Sequence, residues 1–243
     1  NITDKCCYEK QRGWNKMKYE MLLFDVDNTL LDFDANEAES FKNMIEDKGQ
    51  VYSEELYIRY KEMNHEMWKA VERGEMIIDE VVNTRFAKLM DIYGRKVDGE
   101  DYEKTYRSYL NKGIQEKPHV HEVLSELKKK YKLYVITNGI KTTQNFRMKG
   151  SGLENYFEKC FISETVGANK PSMDFFDHVK ENIECFDASK ALVIGDSLTS
   201  DIKGGNDAGI DTCWICRKGT VNHTDIIPKY TINSLEELFE ILG

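Results

Sequence analysis

Apolar and polar positions follow two different periods along this chain. Residues 20–26, Glu-Met-Leu-Leu-Phe-Asp-Val, form a short apolar run ending in acid, the pattern of a strand buried on both faces. From Asp32 to Lys112 the period is helical. Ala38, Phe41, Met44 and Ile45 recur at helix spacing, as do Leu56, Tyr60, Met63 and Met67, then Val81, Val82, Phe86 and Leu89, and last Tyr102, Tyr106 and Tyr109. Beyond this block strands and helices alternate. Val120, Val123, Leu124 and Leu127 mark a helix face, 132–137 is a strand, and a helix begins near Thr143. A short strand follows at 160–162, and Ser172 caps a helix that turns Phe175, Phe176, Val179 and Ile183 inward. Residues 191–195 form a strand, 201–208 a helix and 211–215 a strand, and Ser234 caps a final helix.

Alternation of this kind predicts an α/β fold, a doubly wound parallel sheet with helices on both faces. The all-helical block interrupts it after strand 1. The expected organisation is therefore a core of residues 17–31 and 113–243 and an inserted helical unit of residues 32–112, with hinges near Asp32 and Lys112. Closure of such a unit over the core would exclude water. Residues 1–16 show poor periodicity and are expected to be a leader upstream of the folded part.

Composition narrows the function. The 243 residues are enough to bury a sizeable core. With 34 basic against 43 acidic residues the net charge is −9, a poor basis for gripping a nucleic-acid backbone. Residues 32–112 alone hold 13 Lys and Arg against 19 Asp and Glu, with no basic stripe. No apolar run approaches transmembrane length, and residues 1–16 lack the apolar stretch of a secretory signal. Six cysteines are too few for a disulfide scaffold. Cys213 and Cys216 form a CxxC, but the surrounding strand turns sulfurs three residues apart to opposite faces, so they read as thiols rather than a redox or zinc half-site. Reduced thiols and no signal point to the cytoplasm.

Functional groups of an open parallel sheet collect at the carboxyl ends of its strands. Here those ends carry Asp25-Val26-Asp27-Asn28-Thr29, then Thr137-Asn138-Gly139, then Gly195-Asp196 with Asp201 five residues on, and Lys170 stands in the loop before the Ser172 helix. Carboxylates gathered this closely stay ionised only beside a cation. Oxygen ligands favour a hard divalent ion such as Mg²⁺, which takes few carboxylates plus a phosphate oxygen. Lys170 would offset phosphate charge from the other side, and the hydroxyl and main-chain N–H groups at 137–139 would bind the remaining oxygens.

These four segments, in this order, resemble the motifs of the haloacid dehalogenase-like (HAD) phosphohydrolase superfamily, and the resemblance covers about residues 19–220. It implies an aspartyl-phosphate mechanism with Asp25 as nucleophile and Asp27 as general acid and base. It also implies Mg²⁺ held by Asp25, Asp196 and the main-chain carbonyl of Asp27, with Asp201 binding the metal or orienting its ligands. Thr137, Asn138 and Lys170 match the phosphate-contacting positions, and the helical block looks like the family's cap inserted after the first motif. An Asp at position 27 separates the chain from the dehalogenases, which lack Asp there, and from the transport ATPases, which carry Thr. The stretch 24–33, Thr137-Asn138-Gly139 and 211–215 resemble the pyrimidine 5′-nucleotidase branch, which implies a nucleoside 5′-monophosphate as substrate. A phosphosugar phosphatase or phosphomutase of the same fold is the enzymatic alternative. The non-enzymatic one is a phospho-acceptor signalling domain, which is ordinarily half this length and lacks an inserted cap.

Other conspicuous residues have plainer readings. Gly204, Gly205 and Gly209 miss the spacing of either nucleotide fingerprint and read as a helix end. His119 and His121 read as surface residues, and His65 and His178 show no partner. The Tyr102, Tyr106 and Tyr109 stripe reads as helix packing. Gln144 and Arg147, one turn past Thr137, suit a structural pairing at least as well as a substrate contact.

Overall fold

The structure, a computed structural model, describes residues 17–243; the leader assigned to residues 1–16 lies outside the described residues. Six strands form one parallel sheet in the order β3-β2-β1-β4-β5-β6. They are β1 (Met21–Phe24), β2 (Lys132–Thr137), β3 (Lys159–Ile162), β4 (Ala191–Gly195), β5 (Asp211–Ile215) and β6 (Tyr230–Ile232). The central strands β1 and β4 are buried along their whole length, as their continuous apolar runs require. Phe175, Phe176 and Val179 pack one sheet face together with Leu23, Ile136 and Val193. The three-residue edge strand β6 is too short to carry a period and is not predicted from the sequence.

The chain divides into two compact units. One comprises residues up to Leu30, 117–138 and 155–243, and the other comprises 31–116 and 139–154. The second unit holds α1 (Phe33–Asp47), α2 (Glu54–Glu72), α3 (Ile78–Ile92), α4 (Gly99–Leu110) and α6 (Lys141–Gly150). The first holds α5 (Val120–Leu127), α7 (Ser163–Val166), α8 (Met173–Glu181), α9 (Lys203–Asp207) and α10 (Leu238–Leu242). Three of the insert's helices start on side-chain caps. Asp32 accepts from the Ala35 N–H (3.2 Å), Ser53 from Leu56 (3.2 Å), and Asp98 from Glu100 (3.0 Å) and Asp101 (3.1 Å). Segment 139–154, which the sequence leaves in the core, groups with these helices. Arg107 Nη1 donates to Thr143 Oγ1 (2.8 Å), Arg147 Nε donates to the Gly113 carbonyl (3.2 Å), and the Arg147 guanidinium lies 5.4 Å over the Phe33 ring.

Aromatic rings fill the helical unit. Phe41 stacks on Tyr60 at 4.5 Å and Tyr60 on Phe86 at 5.5 Å, and the Tyr60 and Tyr106 hydroxyls bond at 3.1 Å. Tyr102 and Tyr106 belong to this core, the packing role that their spacing suggests. Beside the rings runs a buried polar chain. Arg85 grips Glu103 through Nε (2.8 Å) and Nη2 (2.7 Å) and donates to Asn64 Oδ1 (3.0 Å), and Asn64 Nδ2 donates to Glu37 Oε1 (3.1 Å).

Arg85 spends its closest contacts on Glu103, so Glu37 is a buried carboxyl without a cation of its own. Burial pushes it up to about 7, against the pull of Arg85 and Lys61 and with the repulsion of Asp34 added. A folded-state value above the unfolded one means that the native protein holds a proton the unfolded chain has released. This contribution to stability is present below about pH 4.5 and is lost as pH rises through about 7. Glu37→Gln keeps an acceptor for Asn64 and needs no proton. We expect it to be more stable than the parent in urea at pH 8, by roughly 1–3 kcal/mol, with a much smaller difference at pH 5. An equal effect at both pH values would show that Glu37 does not titrate in this range.

Gly204 and Gly205 in α9 serve packing. A Cβ on Gly204 would lie 2.2 Å from the Phe176 ring, and one on Gly205 would lie 2.6 Å from Thr212 Cγ2. Gly209 adopts φ +72° just past the helix, consistent with the helix-end reading. Cys160, Cys213 and Cys216 carry free thiols, so the CxxC is not a disulfide. Among the described residues no helix is long and apolar enough to cross a membrane.

Candidate active site

The sheet order makes β2, β1 and β4 neighbours, so their carboxyl ends meet. Phe24 is level with Val135 on one side and Ile194 on the other, and the Asp25 N–H donates to the Ile194 carbonyl (2.9 Å). Asp25 therefore leaves β1 between the last residues of β2 and β4. Three residues on, Asn28 adopts φ +60°, a left-handed conformation that Asn tolerates better than most residues, and the chain turns there. Asp25 is 6 % exposed and Thr137 is 1 % exposed. Asp27 is partly buried.

Lys170 enters from the loop between α7 and α8 and is 1 % exposed. Its ammonium has three protons and three acceptors, namely Asp201 Oδ1 (2.6 Å), Asp25 Oδ1 (2.8 Å) and the Ile136 carbonyl (2.9 Å). A buried ammonium is tolerable only with such full coordination. Asp201, brought back towards β4 by the π-helical turn Leu198–Ile202, also accepts from the Ser197 N–H through Oδ2 (3.1 Å). This close return requires Gly195, where a Cβ would lie 2.2 Å from Asp201 Oδ2. Asp196 follows, its carbonyl held by Trp214 Nε1 (2.8 Å).

One carboxylate oxygen from each of Asp25, Asp196 and Asp201 falls within 4.8 Å of the others, the one grouping of this kind among the described residues. Three carboxylates thus face one ammonium. Burial, and then mutual repulsion, push Asp196 well above the usual carboxylate range. Burial raises Asp25 to about 7, with Asp201 and Asp27 adding to the rise and Lys170 opposing it. All-oxygen donors, crowded, buried and short of positive charge, fit a hard divalent cation. Asp201 is already committed to Lys170 and Ser197, which suits an orienting role better than that of a principal ligand.

Of the residues singled out from the sequence, the structure brings together Asp25, Asp196, Asp201 and Lys170, with Thr137 at the end of the adjoining strand. Asn138 is present too, but its side chain faces the Lys170 main chain (Oδ1 to the N–H 2.8 Å, Nδ2 to the carbonyl 2.9 Å) rather than standing open as a phosphate donor. Gln144 and Arg147 are buried within the helical unit, with Arg147 Nη1 donating to Gln144 Oε1 (3.3 Å). His121 pairs with Tyr156 (3.0 Å), and among the described residues no histidine joins the acidic group. Sequence reasoning missed Trp214, Ser197 and the Ile136 carbonyl. A Trp near a strand end is a faint signal, because a buried indole N–H needs an acceptor. A main-chain carbonyl leaves no signal at all.

The chain matches the haloacid dehalogenase-like hydrolase family over residues 22–215, a span that contains every residue of this site, and it belongs to that family. Among curated proteins it is 44% identical to the HAD-hydrolase YfnB of Bacillus subtilis, over 93% of this chain and 96% of that one. It is 39% identical to the pyrimidine 5′-nucleotidase PynA of Streptococcus pneumoniae (93% and 96% covered) and 29% identical to the pyrimidine 5′-nucleotidase YjjG of Escherichia coli (93% and 99%). The crystal structure of YfnB bound to magnesium superposes with a TM-score of 0.89 over 93% of this chain and 99% of that one. A dehalogenase at 18% identity and a TM-score of 0.72 shares the fold.

Proposed function

We propose that this hydrolase is a Mg²⁺-dependent phosphatase that cleaves a small phosphomonoester, a nucleoside 5′-monophosphate of the pyrimidine series, through an aspartyl-phosphate on Asp25. The observation that carries this reading is Asp25 itself, a buried carboxylate held at a strand end by Lys170, with a second Asp two residues on. The kinship with PynA and YjjG, both pyrimidine 5′-nucleotidases, supports the substrate class. An acidic protein suits such a substrate, because only the phosphate needs positive charge and the site supplies it locally. A polymeric nucleic acid is not the expected partner.

Phosphate-monoester hydrolysis is among the slowest uncatalysed reactions, and enzymes accelerate it by up to ~10²¹-fold. Splitting it into two displacements lowers each barrier. In the first, an Asp25 carboxylate oxygen attacks phosphorus in line, the P–O ester bond breaks, and Asp27 gives its proton to the departing alkoxide. In the second, Asp27 takes a proton from water, whose oxygen attacks the same phosphorus, releasing inorganic phosphate and restoring the Asp25 carboxylate. Lys170 offsets the charge that would repel an anionic nucleophile from an anionic phosphate, and Thr137 with the main-chain N–H groups beyond it orients the phosphate oxygens. Asp25 and Asp196, with the Asp27 carbonyl, would hold Mg²⁺, which supplies further charge neutralisation at the phosphate.

The test is a phosphate-release screen across nucleoside monophosphates, sugar phosphates and p-nitrophenyl phosphate, with Mg²⁺ and with EDTA. We expect pyrimidine 5′-monophosphates to give the highest kcat/KM and EDTA to abolish release. A sugar phosphate as the best substrate would overturn the nucleotide assignment. A stable phosphoprotein formed without turnover would mark a phospho-acceptor domain instead.

A further inference from the structure

We infer that Asn138 is a positioning residue for Lys170: its carboxamide fixes the main chain from which the lysine reaches Asp25 and makes no contact with substrate. The inference rests on the phosphatase reading above and adds to it a residue that acts through another.

Both amide hydrogens of Asn138 are engaged. Oδ1 accepts the Lys170 N–H (2.8 Å), one Nδ2 hydrogen goes to the Lys170 carbonyl (2.9 Å) and the other to Ser200 Oγ (3.3 Å). An amide nitrogen has two hydrogens, so donating to a phosphate would mean giving up one of these bonds. The paired grip on N–H and C=O of one residue resembles a rung of a sheet, made here by a side chain. It demands a donor and an acceptor on one planar group, which a carboxamide provides and a carboxylate does not. Two residues earlier on β2, the Ile136 carbonyl accepts from Lys170 Nζ (2.9 Å). Both ends of Lys170, its main chain and its ammonium, are thus referenced to the same strand.

This geometry matters because Nζ must satisfy three acceptors at once. A shift at the main chain is carried along the side chain to the ammonium, and a misplacement of about 1 Å costs on the order of 10²-fold in rate. Ser200 sits in the Leu198–Ile202 turn that also presents Asp201, so Asn138 ties the β2 end, the Lys170 loop and the Asp201 turn together.

The experiment is a double-mutant cycle on p-nitrophenyl phosphate with the parent protein, Asn138→Ala, Lys170→Met and the combination. We expect Asn138→Ala to lower kcat roughly 10- to 100-fold with KM within about 3-fold, and Asn138→Asp, isosteric but lacking the donor, to fare no better. In the Lys170→Met background, removing the carboxamide should change kcat by less than about 3-fold, because the residue it serves is gone. Effects that multiply, or a rise in KM with kcat preserved, would mean an independent contact with substrate and overturn the inference. Crystal structures of the parent and Asn138→Ala give an arm that needs no turnover. Lys170 Nζ should withdraw from Asp25 in the variant, and an unmoved lysine sinks the idea. A parent protein inactive on every phosphomonoester would reject the phosphatase reading instead, and the crystallographic arm would still decide the role of Asn138.

Discussion

Asp25→Asn is expected to abolish phosphate release and at the same time to stabilise the fold. Loss of a nucleophile costs on the order of 10⁶-fold in kcat where it has been measured in a hydrolase, and an amide cannot form the phosphoenzyme. The stability effect follows from the surroundings of Asp25. Burial, with repulsion from Asp201 and Asp27, raises its carboxyl to about 7 from an ordinary value of 3.8. The native state therefore favours the protonated form, and the contribution is lost as pH rises through about 7. Asparagine is the neutral isostere. In chelator-treated buffer at pH 8 the variant should unfold at higher urea than the parent, and the difference should shrink towards pH 5. A charged nucleophile held at a cost to stability is an ordinary trade at active sites. Turnover retained in Asp25→Asn would remove the mechanism. Turnover lost together with stability would mean that Asp25 holds the fold rather than the phosphoryl group.

Lys170→Met should have the opposite signature, losing both activity and stability. The methionine keeps most of the stem but none of the three donors, so Asp25, Asp201 and the Ile136 carbonyl lose their shared partner inside the protein. Breaking a buried ion pair from one side costs about 3–5 kcal/mol, and removing a charge that stabilises the transition state costs roughly 10²–10³-fold in kcat. The destabilisation should be greatest above pH 7 and smaller near pH 5, where a proton on Asp25 relieves part of the surplus charge. Urea titrations at the two pH values measure it. A pH-independent loss would point to packing alone, and unchanged stability would contradict the coordination of Lys170.

Much of the architecture was legible in the sequence because its cues are local. The runs at 21–24, 132–137, 191–195 and 211–215 are buried strands at those positions, and the helical period of 32–112 resolves into α1–α4. The candidate site was legible for a related reason. Aspartates and a lysine just beyond apolar runs are where a parallel sheet exposes its chemistry. Three features were not. The strand β6 carries too few residues for a pattern. Segment 139–154 follows a core strand in the chain yet groups with the inserted helices through Arg107 and Arg147. Asn138 stands in a motif that suggests phosphate, while its carboxamide is bonded to the Lys170 main chain.

By itself, then, the order of residues determined the strand and helix segments, the acidic character of the strand ends and the family to which the chain belongs, since each depends on spacing within a few positions. Tertiary structure alone decided which acceptors the Lys170 ammonium meets, 31, 34 and 145 residues away, and which carboxylates crowd within 4.8 Å. Those partners are chosen by the order and register of the strands. No periodicity encodes that choice, because a side chain has no local preference for a group brought to it by another strand.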